Sequence, residues 1–203
     1  MVAIAEKKEQ QRTEKLYSLR EYLDRESRSV NKHEFHNGKI TTMAGGKFGH
    51  NEIATNFVTS LKWAVKPLPT KFRVINSDQK IYIKAINRAV YPDALVVCEA
   101  PEYWEDREDL IVNPLLIVEV LSKSTREFDK SGKFMLYQTL PSFREYVLVE
   151  QTLPSVEAWF RTDEMTWNKK MQDDLSGSIL LRSLGVSIAL SDIYENISFP
   201  IKR

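Results

Sequence analysis

The run Leu115-Leu116-Ile117-Val118-Glu119-Val120-Leu121 constrains this chain more than any other stretch. Six of its seven side chains are aliphatic, the composition of a strand buried on both faces of a sheet. Such sheets need helices to cover them, which predicts an α/β protein with a mixed central sheet flanked by helices. Glu119 is the exception. An ionised carboxylate taken out of water is costly unless it is paired or coordinated. Alone, it is as well explained by a strand end or a core arginine.

A second acid changes the balance. In Tyr91-Pro92-Asp93-Ala94-Leu95-Val96-Val97, Asp93 opens another apolar run, and Val90 to Cys98 reads as one buried strand. If the two strands pair, both carboxyls face one point. Unneutralised, they would repel by roughly 4 kcal/mol at about 4 Å and an effective dielectric near 20. A divalent cation reverses that sign. Mg²⁺ fits, because it takes one or two carboxylates, keeps several waters and completes its shell with phosphate oxygens; Mn²⁺ is the expected substitute. His33, His36 and His50 lack a usual zinc spacing, and Cys98 is the sole cysteine.

The third element is Lys133. Ser124-Thr125-Arg126-Glu127 has the capping-box pattern, predicting a helix from Ser124 to Leu140 that starts where the Glu119 strand ends. Asp129, Lys133 and Tyr137, at i, i+4 and i+8, share one face of it, with Phe128, Met135 and Leu136 as an apolar flank. Lys133 then points back to the strand ends, unless it is simply a solvated partner of Asp129.

Elsewhere, Ser18 with Glu21 predicts a short helix carrying Leu19, Tyr22 and Leu23, and Asn37-Gly38 predicts a hairpin within Lys32 to Met43. A helix from His50 to Val65 ends before Pro67. Phe72-Val74 and Ile81-Ile83 alternate as strands, and Glu99 to Asp109 reads as an acidic loop. Glu145–Glu150 and Val156–Phe160 read as paired strands, and Ile179–Ile188 as an extended tail. Residues 1–16 are expected to be a flexible tail ahead of a single domain, 17–203. With 29 Lys and Arg against 28 Asp and Glu, any nucleic-acid contact requires clustered basic groups. No apolar run spans a bilayer and no leader is visible, so a cytoplasmic protein is expected.

Pro92-Asp93, followed 26 positions after the aspartate by Glu119, resembles the PD-(D/E)XK phosphodiesterase superfamily, the restriction-endonuclease-like fold. The wider order is similar to one large family within it. It runs His33-Glu34-Phe35-His36-Asn37-Gly38-Lys39-Ile40, His50, Pro92-Asp93, Val118-Glu119-Val120-Leu121-Ser122, Ser124-Thr125, Asp129, Lys133, Tyr137. The resemblance implies a Mg²⁺-dependent DNA endonuclease. Asp93 and Glu119 would ligate the metal, with the Val120 carbonyl as a further ligand. Lys133 would serve water and the developing charge on phosphorus, with His50, Tyr137 and Glu34 lining the substrate side. The superfamily's lysine, two residues after the Glu, is here Leu121, and Lys133 stands in for it from the next helix. Two copies acting as a homodimer would cut two strands. The competing reading is a nucleic-acid-binding or regulatory module on the same fold without turnover. A two-carboxylate glycosidase fits less well, because these acids sit in apolar strands beside a lysine.

Overall fold

The computed structural model describes residues 15–199. Its first helix, α1 (Leu19–Glu26), starts at a closed capping box: the Glu21 N–H donates to Ser18 Oγ and the Ser18 N–H donates to the Glu21 carboxylate. Asn37 and Gly38, at φ +46° and +90°, turn β1 (His33–His36) into β2 (Lys39–Thr42). Positive φ at both positions is the hairpin geometry that Asn-Gly favours. Then come α2 (Phe48–Val65), β3 (Phe72–Asn76), β4 (Lys80–Ile83), β5 (Arg88–Val90) and β6 (Ala94–Cys98). They are followed by β7 (Tyr103–Trp104), β8 (Arg107–Ile111) and β9 (Leu116–Leu121). A π-helical segment, Phe128–Lys133, runs into α3 (Phe134–Gln138). The chain continues through β10 (Glu145–Glu150), β11 (Val156–Arg161), β12 (Trp167–Gln172), β13 (Ser178–Leu181), β14 (Val186–Ala189) and α4 (Leu190–Ile193).

Two six-stranded sheets result, ordered β2-β1-β5-β4-β8-β7 and β12-β11-β10-β9-β6-β3, with β13-β14 as a separate hairpin. Both are mixed: β9 runs parallel to β10 and β4 parallel to β8, while their other pairs are antiparallel. The helix between β9 and β10 makes the crossover that a parallel pair requires. One face of the second sheet meets α2 through Ile53, Phe57, Leu61 and Val65, with the β13-β14 hairpin in the same core. Its other face meets the first sheet. There Ile81, Ile83 and Val90 pack with Leu95, Val97, Ile117 and Leu121, and Tyr137 and Phe143 close the end. All six residues of β9 are buried.

Several local expectations are corrected. Val90 to Cys98 is two strands in different sheets, because Pro92 offers no N–H for a ladder and the chain changes sheet across Tyr91-Pro92-Asp93. β3 and β4 also part company, and β4 is buried at all four positions instead of alternating. The acidic stretch is the hairpin β7-β8, turned by Glu105 and Asp106 at φ +48° and +60°, and Trp104 packs 4.7 Å from the Tyr82 ring. The Ser124 capping box does not form; Ser122 Oγ accepts the Thr125 N–H instead. Phe128 and Met135 are exposed, and Phe134 turns inward against Tyr146 and Trp167. β12 had no clear sequence signal. The expected tail, residues 1–16, lies outside the described residues except for 15 and 16. Among the described residues no helix is long and apolar enough to cross a membrane.

One buried acid ties the last hairpin down. Glu145, fully buried at the start of β10, accepts the backbone N–H groups of Arg182 and Ser183, each at 2.9 Å, and the Ser183 hydroxyl at 2.6 Å. Hydrogen bonds to a charged acceptor each contribute about 1.5–3 kcal/mol, and their loss leaves buried donors unsatisfied. Glu145→Ala is therefore expected to lower unfolding stability by about 3 kcal/mol in urea titrations, with Glu145→Gln recovering part. A loss under about 1 kcal/mol would contradict this anchoring role.

Candidate active site

Register brings Asp93 and Glu119 to one face of the second sheet. Ala94 pairs with Val118 and Leu95 with Ile117, so the antiparallel ladder, continued one step, sets Asp93 opposite Glu119. Opposed residues share a face, and Leu95 and Ile117 identify it as the face turned to the first sheet. Pro92 ends that ladder, leaving Asp93 at its edge, where Oδ2 accepts the Val120 N–H at 2.7 Å. The Val120 backbone is thereby turned toward the Asp93 edge of the strand.

From the other side, His50 in the first turn of α2 brings Nε2 to 3.0 Å from Asp93 Oδ1. The hydrogen bond to Asp93 raises the imidazole pKa above its usual value, against the effect of burial. Its Nδ1 is buried without a hydrogen-bond partner.

Glu119 is 3% exposed. Its Oε1 accepts the hydroxyl of the fully buried Tyr137 at 2.8 Å, and its Oε2 lies 3.1 Å from Lys133 Nζ. Lys133 Nζ is also 3.2 Å from Asp129 Oδ1, which has no hydrogen bond of its own. The π-helical turn brings Asp129 and Lys133 inward together, both buried. π-turns of this kind recur at functional sites. Burial pushes the Glu119 carboxyl up to about 8, with Lys133 pulling against it and Asp93 adding to it. Burial also opposes the Lys133 ammonium, but the charges of Glu119 and Asp129 outweigh it and hold the lysine protonated.

The first sheet supplies the facing wall. Glu34 accepts from Arg88 Nη2 at 3.3 Å, the pair is mostly buried, and the Glu34 charge is felt at Lys133 and Tyr137. Two contacting groups result, His50 with Asp93 and Tyr137 and Lys133 with Glu119, linked through the backbone by the Val120 N–H on Asp93 and electrostatically by the effect of Asp93 on Glu119, with the Glu34 charge felt at Lys133. Arg88 escaped the sequence reading. A single arginine opening a three-residue strand carries no periodic signal, and only the sheet pairing shows what it faces.

Four carboxyls stand here against one ammonium, one guanidinium and one imidazole, an arrangement short of positive charge. Among the described residues, no three His, Cys, Asp or Glu side chains surround one point closely enough to cage a metal. Two opposed carboxylates are the donor set that suits Mg²⁺, which completes its shell with water and phosphate oxygens. Asp129 Oδ1, ion-paired with Lys133 but without a hydrogen bond, adds a third carboxyl beside them.

Because Glu119 holds its proton more tightly folded than unfolded, its contribution to stability is complete below its ordinary value of 4.5 and is lost as pH rises through about 8. His50, raised as well, acts in the same direction. In metal-free buffer, denaturation midpoints are expected to fall from pH 5 to pH 8, and Glu119→Gln should flatten that fall. An identical slope in the variant would place the titration elsewhere.

Comparison with known proteins agrees with this architecture. The family model Uma2, described as "Putative restriction endonuclease", matches residues 19–191. Two uncharacterized proteins of Synechocystis sp. (strain ATCC 27184 / PCC 6803 / Kazusa) are similar. One, sll1609, is 33% identical over 76% of this chain and 86% of its own length. The other, slr1290, is 34% identical over 90% of this chain and 93% of its own. A solved structure from Anabaena variabilis ATCC 29413, titled a putative nuclease belonging to DUF820, shares the fold. Its TM-score is 0.69 at 15% identity, over 90% of this chain and 99% of that one. With its match running from the first helix to the last, the chain belongs to the Uma2 family of restriction-endonuclease-like proteins.

Proposed function

We propose that this protein is a Mg²⁺-dependent endonuclease that hydrolyses phosphodiester bonds in DNA. The observation that carries the reading is Glu119: a carboxyl buried in the central strand, opposite Asp93, with a buried ammonium 3.1 Å away. Asp93 and Glu119 would hold the cation, with the Val120 carbonyl as a further ligand and Mn²⁺ as a substitute. When bound, the cation supplies Lewis acidity toward the phosphoryl oxygen.

The remaining steps fall to this chain's side chains. Tyr137 fixes one Glu119 oxygen and His50 fixes one Asp93 oxygen, so the carboxylates are set before substrate arrives. Water attacks phosphorus and gives up a proton to solvent, the bond from phosphorus to the leaving sugar oxygen breaks, that oxygen takes up a proton, and negative charge grows on the phosphoryl oxygens on the way. Lys133, kept charged by Glu119 and Asp129, faces that charge. Two copies working together would cut both strands of a duplex.

A second reading keeps nucleic-acid binding and drops turnover. Leu121 occupies the superfamily's lysine position, and both oxygens of Asp93 and of Glu119 already have partners in the protein. Binding without cleavage in any metal would favour it.

Metal linkage tests the site first. Millimolar Mg²⁺ or Mn²⁺ should raise the thermal midpoint, Asp93→Asn should weaken that rise, and it should grow as pH climbs toward about 8 and Glu119 releases its proton. No shift with either metal would remove the metal from the account. The chemistry is tested by plasmid nicking. Lys133→Ala should slow cleavage on the order of 10²-fold, roughly 3 kcal/mol of barrier, with little change in DNA affinity. Wild-type rates in this variant would return the catalytic role to the carboxylates alone.

A further inference from the structure

The near-neutral net charge leaves open where a polyanion would be gripped, and the first sheet holds an answer. His36 is paired directly with Lys39 on one side and with Arg88 on the other. Directly opposed residues in antiparallel strands share a face, so Lys39, His36 and Arg88 form one row across β2, β1 and β5. The opposite face is accounted for: Phe35 and Ala89 point there, into the core with Tyr22. The row therefore lies on the face that carries Glu34 and looks toward Lys133.

The row begins at β2, an outer strand of the sheet, where Lys39 and the neighbouring Thr41 are exposed. His36 is exposed as well. It ends at Arg88, whose guanidinium lies 5.1 Å over the ring of Phe128, the residue that opens the π-helical turn leading to Lys133. Glu34 holds one side of that guanidinium, and Arg88 Nε is a buried donor without a partner. With strands about 4.8 Å apart, the row spans roughly 10 Å, about three steps of axial rise in a duplex.

We infer that Lys39, His36 and Arg88, with the Thr41 hydroxyl beside them, form the track along which the phosphodiester backbone of the nucleic acid reaches the Asp93–Glu119 site. The inference rests on the nuclease reading and names the surface that reading lacks. Cationic and hydroxyl side chains on a β-ribbon are the usual phosphate contacts, and they position the duplex without reading its sequence. Arg88, at the inner end, contacts the phosphate next to the one attacked.

The test is fluorescence anisotropy with a fluorescein-labelled 20-base-pair DNA duplex, in Ca²⁺, over a range of KCl concentrations. Lys39→Gln should weaken binding on the order of five-fold and make the slope of log affinity against log salt shallower by about 1. Arg88→Gln should weaken binding at least as much. Lys62→Gln, on an exposed position more than three helical turns beyond His50 in α2, should leave both affinity and slope unchanged. If Arg88→Gln does not fold, Lys39→Gln decides, since Lys39 is an exposed residue of an outer strand. Wild-type binding by Lys39→Gln, or an equal loss in Lys62→Gln, overturns the track while leaving the nuclease reading intact. A wild-type protein that neither binds nor cuts DNA overturns both.

Discussion

A carboxyl in the middle of a strand with no exposed residue has to be offset by its neighbours, and much of this structure does so. Glu119 is flanked in its own sheet by β6 and β10, roofed by Tyr137 and met by Lys133. Had Lys133 been absent, burying the charge would cost several kcal/mol; with Lys133 and Asp129 together, the cluster still carries more acid than base. The excess is met by retaining a proton on Glu119 or by taking up a cation. That choice links fold stability, pH and chemistry in one group.

The fold serves this arrangement from both sides. Pro92 breaks what would be one long strand, sends its halves into different sheets and leaves Asp93 at the edge, free to meet His50 and the Val120 N–H. Because the chain changes sheet there, the first sheet comes to face the second, and Glu34 and Arg88 become a wall of the site. The π-turn does the same for Asp129 and Lys133, placing an i,i+4 pair inward on a segment whose Phe128 stays outside. Local irregularities thus fall where the site is built.

What could be read from sequence followed the range of the interactions involved. The capping box at Ser18, the Asn37-Gly38 turn and the buried β9 depend on residues close in the chain, and each formed as read. Asp93 and Glu119 stood out because acids in or beside apolar runs need a reason, and Lys133 and Tyr137 because they share a helical face, whereas His50 and Glu34 were singled out only by the family resemblance. The splitting of Val90 to Cys98, the acidic hairpin and the π-turn were not, because each is decided by which sheet or helix a residue meets. Arg88 shows the same limit: its sequence neighbours say nothing, whereas pairing with His36 and contact with Glu34 and Phe128 define its surroundings.

The central claim is that Asp93 and Glu119 are opposed in order to hold a divalent cation against a phosphodiester. Anomalous diffraction from crystals grown with Mn²⁺ and a short DNA duplex addresses it directly. The expected result is a manganese peak shared by the Asp93 and Glu119 carboxylates, with a backbone phosphate beside it and the Lys133 ammonium facing that phosphate. A DNA-bound structure with no manganese between these carboxylates, or with Lys133 still locked onto Glu119 and the phosphate elsewhere, would contradict it.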